Sequence, residues 1–138
     1  GNILYVEDVI DSGFEPGDLR FFLSAAEHYR KTLNYTEEHM QEAADKLADC
    51  RKRISNLKKF VKDTGGKSAV MTRLSEKLNR DFEAHMDNDL SVGKAFESIV
   101  TNLKDIERFS PHYPLTKDQA EDIQKKLNKI NDVIGVLF

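Results

Sequence analysis

Apolar residues return at alternating steps of three and four along almost the whole chain, and this spacing limits the possible folds more than any other feature. The longest series is Met40, Ala43, Leu47, Cys50, Ile54, Leu57 and Val61. Such steps put side chains on one face of a 3.6-residue helix, so the series is a heptad-like seam of the kind that joins helices in bundles. It predicts one long helix over about 36–62. Thr36 is its expected N-cap, Glu37 and Glu38 lie against the positive helix end, and Gly65-Gly66 closes it. No long alternating stretch argues for a strand, and only Ile3–Val6 is ambiguous. The predicted class is therefore all-α: a helix bundle of about five main helices plus a short N-terminal segment.

The other helices follow from the same periodicity. One or two turns are expected at Val6–Ile10, ended by Ser12-Gly13. Pro16 suits the first position of the next helix, where its missing N–H costs nothing. Leu19, Phe22, Leu23 and Ala26 give that helix an apolar stripe and carry it to about Lys31. A helix over about 68–86 bears Met71, Leu74, Leu78, Phe82 and Met86, and Asp87-Asn88-Asp89 should break it. The next, over 91–109, has Ser91 as N-cap and Val92, Ala95, Phe96, Ile99, Leu103 and Ile106 on its core face. Pro111 and Pro114 stiffen the loop that follows. Thr116 and Gln119 have the spacing of a capping box for a last helix bearing Ala120, Ile123, Leu127, Ile130 and Ile134, ending near 133–136. The 36–62 helix is expected to organise the core by packing on the three helices after it.

Composition narrows the function. A chain of 138 residues suits one domain, and 39% hydrophobic residues are too many for a disordered chain. No apolar run approaches the ~20 residues of a membrane span, so no membrane partner is expected. Gly1-Asn2-Ile3-Leu4 lacks the basic region of a signal peptide. The single cysteine excludes an internal disulfide framework and a cysteine-based zinc site, which places the chain in the reducing cytosol. Because it starts at Gly1 rather than Met, the chain is taken as a segment of a longer protein.

Catalytic and metal chemistry find little support. Cys50 falls in the apolar seam, where a thiol behaves as a small hydrophobe. His28, His39, His85 and His112 lie on separate elements, with no i, i+4 pair of the helical zinc type. Asp87-Asn88-Asp89 lacks the remaining ligands of a calcium loop and is read as a helix terminus. Gly65-Gly66-Lys67-Ser68 lacks the earlier glycine and the preceding strand of a phosphate loop. Neither a catalytic residue nor a metal ligand is assigned.

Charge is the strongest remaining signal. Residues 46–80 hold eleven Lys and Arg against three acids, so this window carries +8 within a chain of net charge −3. Between 51 and 62 there are six basic residues and no acid. On an ideal helical wheel Arg51, Lys58 and Lys62 form one stripe, with Lys52 and Lys59 beside it, all away from the seam. A solvated face normally mixes signs in i, i+4 pairs, whereas an unbalanced arc suits a phosphate backbone. No aromatic lies in the arc, which favours a duplex backbone over stacked single-stranded bases.

Two stretches resemble a known family. Gly1-Asn2, then Asp18-Leu19-Arg20-Phe21-Phe22-Leu23, then His28-Tyr29-Arg30 with Leu33-Asn34-Tyr35-Thr36, is similar to the region of cysteinyl-tRNA synthetases (class I) that follows the KMSKS-type signature. Phe82-Glu83-Ala84-His85-Met86-Asp87-Asn88-Asp89-Leu90-Ser91, followed by Ala95-Phe96, is similar to a helix junction of the same family, with His85 inserted between the usual Ala and Met. The resemblance runs through nearly the whole chain in order. It implies a stem-contact-like segment over 1–35 and a helical-bundle, anticodon-arm domain over 36–138.

What the resemblance implies about chemistry concerns the parent. Its nucleotide-binding fold, HIGH motif, zinc ligands and KMSKS lysine would precede residue 1, so no catalytic residue carries over and no cofactor is expected in this segment. ATP, magnesium and zinc are implied for the parent ligase. The implied partners are a cysteine-accepting tRNA and the catalytic domain of the same parent chain. Candidate tRNA contacts are Arg51, Lys52, Lys58, Lys59 and Lys62, with Arg73 and Lys77 next. Arg30 is expected to anchor a turn. Two alternatives stay open: a helical protein-interaction module, and the matching domain of a mycothiol-pathway cysteine ligase, which needs no basic arc because its acceptor is an amino sugar.

Overall fold

The computed structural model describes residues 13–27, 37–62, 66–89 and 91–138. The turns expected at Val6–Ile10, the Thr36 cap and Arg30 lie outside these residues. The described residues form five α-helices: α1 (Pro16–Glu27), α2 (Glu37–Asn56), α3 (Ala69–Asp89), α4 (Val92–Phe109) and α5 (Lys117–Ile134). A 3-10 turn, Leu57–Phe60, continues α2. The all-α bundle expected from the periodicity is what forms.

Local chemistry explains most helix starts. Pro16 opens α1, and the Glu15 N–H just before it donates to the Asp18 carboxylate at 3.0 Å. Ser68 Oγ accepts from the Met71 N–H at 3.3 Å as α3 begins. Ser91 caps α4 by accepting from the Lys94 N–H. Thr116 and Gln119 form both halves of a capping box on α5. At the far end of α5, Gly135 takes φ of 66°, a left-handed conformation that suits glycine as a helix stop.

Four local expectations need correction. The 36–62 helix keeps α geometry only to Asn56; the chain then tightens and becomes extended at Val61. The cause is tertiary: the Leu115 N–H donates to Phe60 O at 3.2 Å, and the Lys62 N–H donates to Leu115 O at 2.9 Å. Second, Asp87-Asn88-Asp89 does not break α3 but forms its last turn. The Ser91 N–H bonds back to His85 O at 3.1 Å, in the last turn of this helix. Third, α1 buries Leu19 and Phe21, while Phe22 is half-buried and Leu23 exposed. The Phe21 ring packs on Phe96 with centroids 4.4 Å apart, which pulls that face inward.

Finally, α2 is not the hub of the core. The most extensive helix contact is between α3 and α4, and α1, α2 and α3 all pack on α4, while α5 packs on α3. Met40, Ala43, Leu47, Cys50, Ile54 and Leu57 are buried as the seam requires, with Val61 half-buried. They join Leu78, Phe96, Ile99, Leu103, Ile123 and Leu127 in one core, apart from Met40, which pairs with Leu19 in a smaller cluster. Buried polar groups are matched: Asn102, fully buried, donates to Asp81 at 3.0 Å and to Ser98 O at 2.9 Å. Among the described residues no buried side-chain nitrogen or oxygen lacks a partner.

Candidate nucleic-acid interface

The basic segment leaves α2, runs through the 3-10 turn and ends beside the N-terminus of α5. Leu57 stays in the core at 4% exposure, so the residues flanking it turn outward. Lys52, Lys58, Lys59 and Lys62 are exposed, as is Arg73 on α3. Among the described residues none of these five makes an ion pair. Lys58 and Lys59 also close a helix at its negative end, where cations are favourable for reasons of stability alone. That reason does not cover Lys52, a full turn earlier, or Lys62, beyond the helix.

Two candidates behave differently. Arg51 is half-buried, and its Nε donates to Val136 O at 2.9 Å. It holds down the chain after α5, together with Arg20 Nη1 on Gly135 O at 3.3 Å and the Asn131 side-chain Oδ1, which accepts from the Leu137 N–H at 2.8 Å. Val136 and Leu137 are buried beneath these tethers. Lys77 is paired with Asp81 at 2.7 Å and reaches Asn102 Oδ1 at 3.3 Å, on the α3–α4 contact. Burial alone would push the Asp81 pKa up, but hydrogen bonds from Lys77 and Asn102 outweigh it and hold this carboxyl below the usual aspartate value. The i, i+4 spacings Lys77–Asp81 and Asp49–Arg53 were the sequence signal that those cations are spoken for.

The fold adds residues that periodicity could not place here. The bridge between Val61 and Leu115 carries Lys117 to the 3-10 turn. Between them lies an open groove of about 610 Å³ floored by Leu57, Val61 and Leu137, with Lys58 and Lys117 on its rim and Phe138 in its wall. Glu121 is an acid on the same rim.

Cys50 is fully buried, and burial, aided by Asp49, pushes its thiol up to about 12, so it stays protonated and unreactive near neutral pH. Among the described residues no three His, Cys, Asp or Glu converge on a point that could hold a metal ion. A structural zinc site of clustered His, Cys or carboxylate ligands is therefore not formed among the described residues. Among the same residues no helix is long and apolar enough to cross a membrane.

Comparison with known proteins gives a consistent result. No family model matches the chain. Curated relatives do: cysteine–tRNA ligase of Chlamydia felis is 26% identical over 144 aligned residues, covering 99% of this chain and 29% of the relative. That of Lactiplantibacillus plantarum is 28% identical, covering 100% of this chain and 29% of the relative. Cysteine–tRNA ligase 1 of Tropheryma whipplei strain Twist is 29% identical, covering 99% and 27%. The chain thus spans less than a third of the length of the relatives it matches. Over practically its whole length, this chain is similar to one segment of the cysteine–tRNA ligases, the family its own motifs resemble.

Proposed function

We propose that this chain is the tRNA-holding helical part of a cysteine–tRNA ligase, C-terminal to the catalytic domain. It positions a cysteine-accepting tRNA in the cytosol while ATP-dependent cysteinylation, with its magnesium and zinc, takes place on the catalytic domain of the same parent. The observation that carries the reading is the series Lys52, Lys58, Lys59 and Lys62, exposed and without an acid partner among the described residues. Similarity to cysteine–tRNA ligases along 99% of the chain supports it. Four cations in sequence beside a packed core present point charges to phosphates and carry no base code. Arg73, exposed on α3, is a further candidate contact. Arg51 serves it indirectly by fixing the chain after α5, and Lys77 contributes little because Asp81 already neutralises it.

Residues 1–35 serve as the stem-contact segment and 36–138 as the anticodon-arm domain. This division is one of role, since Phe21 of the first part packs directly on Phe96 of the second.

Titration of a labelled tRNA with the chain at two salt concentrations tests the proposal. With about four phosphate contacts, affinity should fall roughly a hundredfold between ~50 and ~200 mM salt. The fall should be similar for tRNAs of other specificities. Salt-independent binding, or none at low salt, would refute it.

A further inference from the structure

The sign of the charge changes along α2. Residues 37–45 hold four acids, Glu37, Glu38, Glu42 and Asp45, and no Lys or Arg. The basic residues begin at Lys46 and continue to Lys62. Glu38, Asp45 and Lys52 recur at steps of seven, so they lie nearly on one line of the helix, opposite the seam where Leu47 and Ile54 are buried. All three are exposed, and so is Lys59 in the 3-10 turn. None of the four acids makes an ion pair among the described residues. Asp45 accepts from the Gln41 side-chain amide at 2.8 Å, a neutral donor that leaves its charge in place. Lys46 stands about 100° round the helix from Asp45, on the rim of a groove between α2 and α4.

Helix stability explains only the ends of this series. Glu37 and Glu38 in the first turn, and Lys58 and Lys59 after the last, complement the helix dipole, an effect that fades beyond one turn. Asp45 lies well inside α2, and Lys52 precedes its last turn. Neither is placed to complement the dipole, and neither is ion-paired among the described residues. Their spacing matters to a polyanion. Lys52 is ~10 Å along the axis from Asp45 and ~15 Å from Glu42. Those separations equal or exceed the Debye length of ~10 Å at 0.1 M salt. The acids therefore do not cancel the lysines, and each half acts on what lies against it.

We infer that the acidic half of α2 sets the direction of the RNA by exclusion: a tRNA arm held by Lys52, Lys58, Lys59 and Lys62 crosses the helix at its basic end and does not lie along it. The inference rests on the tRNA-holding reading above and adds an orientation to it, with Glu38, Glu42 and Asp45 as the residues that determine it. The 20 residues of α2 span ~30 Å. A duplex laid along that length would bring its phosphates over both halves, and the attraction of Lys52 and Lys59 would be offset by repulsion at Asp45 and Glu38. A duplex crossing near the 3-10 turn keeps the cations and leaves the acids in water. Like charges set against a wrong arrangement select the right one as effectively as added attraction does.

The test is directed hydroxyl-radical cleavage of an end-labelled tRNA bound to the intact chain. An iron–EDTA maleimide is attached through Ser55→Cys at the basic end or through Gln41→Cys at the acidic end, both exposed positions, while buried Cys50 stays unlabelled. With the acids in place, the probe at 55 should cut the tRNA and the probe at 41 should leave it nearly uncut. Glu38→Gln, Glu42→Gln and Asp45→Asn together add no cation, so any gain in affinity comes from repulsion removed. That variant should bind tRNA about threefold more tightly at ~50 mM salt, a gain that shrinks as salt rises. In it the probe at 41 should begin to cut. Its helical circular dichroism should match that of the wild-type chain, because the replaced side chains are exposed. Three results overturn the inference: equal cutting from both probes with the acids in place, no cutting from 55 in a chain that binds, or an unchanged cutting pattern in the neutralised variant. Each leaves the tRNA-holding reading standing as long as binding is salt-dependent. If the chain binds no tRNA at ~50 mM salt, that reading fails and takes this inference with it.

Discussion

Arg51 separates two kinds of basic residue, and replacing it by methionine measures the difference. The change removes the guanidinium and keeps a stem of similar reach, so packing along the side chain is largely retained. What is lost is the charged hydrogen bond from Nε to Val136 O, 2.9 Å long and partly buried. A hydrogen bond to a charged group contributes about 1.5–3 kcal/mol net. Because Arg51 is half-buried, water can partly replace the lost donor, which puts the expected cost around or below the lower end of that range, ~1–2 kcal/mol. Loss should not go much further, since Arg20 and Asn131 still hold Gly135 and Leu137. Urea unfolding followed by circular dichroism is the assay. With a slope of ~2 kcal/mol per molar urea, the midpoint should fall by about 0.5–1 M. Lys52→Met, one residue away and exposed, should change stability by less than about 0.5 kcal/mol. Equal midpoints for Arg51→Met and wild type, or an equal loss in Lys52→Met, would refute the assignment of Arg51 to the fold.

Leu57→Ala, at a 4% exposed site where the 3-10 turn enters the core, should cost ~2–5 kcal/mol in the same urea assay. Asp81 and Asp122 are both held below the usual aspartate value, Asp81 by Lys77 and Asn102 against the opposing effect of burial, Asp122 by Lys126 and Ser75. The unfolded chain therefore binds protons at a higher pH than the folded one. Their contribution is fully present above about pH 4 and is lost as pH falls through the folded values, and Asp81→Asn should flatten an acid titration of stability in that range. Cys50 should resist a thiol reagent at pH 8 in the folded chain and react within the dead time in denaturant, because burial keeps it protonated.

The parts of this fold legible in the sequence are those decided within one or two helical turns. Ser91 and the Thr116–Gln119 pair act over three residues, and both form as their spacing implies. The 40–57 seam is buried because three-and-four spacing leaves one face to choose. Three adjacent apolar residues, Phe21, Phe22 and Leu23, offer no such choice, and only contact with Phe96 decides that Phe21 goes inside. Contacts between distant segments account for the remaining differences. Phe60 and Lys62 meet Leu115 across more than fifty residues, which ends α2 early and brings Lys117 beside Lys58. Arg51 and Val136 are 85 residues apart, so nothing near Arg51 in sequence marks it as a tether rather than a surface charge. Lys52, Lys58, Lys59 and Lys62 were legible as exposed because the seam they flank was legible.

The central claim is that these lysines hold tRNA through its phosphates, and the salt dependence of binding tests it most directly. Affinity of the wild-type chain for a labelled tRNA should fall with salt at a log–log slope of roughly −3 to −4.5, as three to five duplex phosphate contacts require. Replacing Lys52, Lys59 and Lys62 together by Glu should weaken binding to any tRNA about equally and reduce the slope by about 2–3, near 0.9 for each contact removed. An unchanged affinity and slope in the triple reversal would contradict the claim and leave these lysines as an ordinary solvated face.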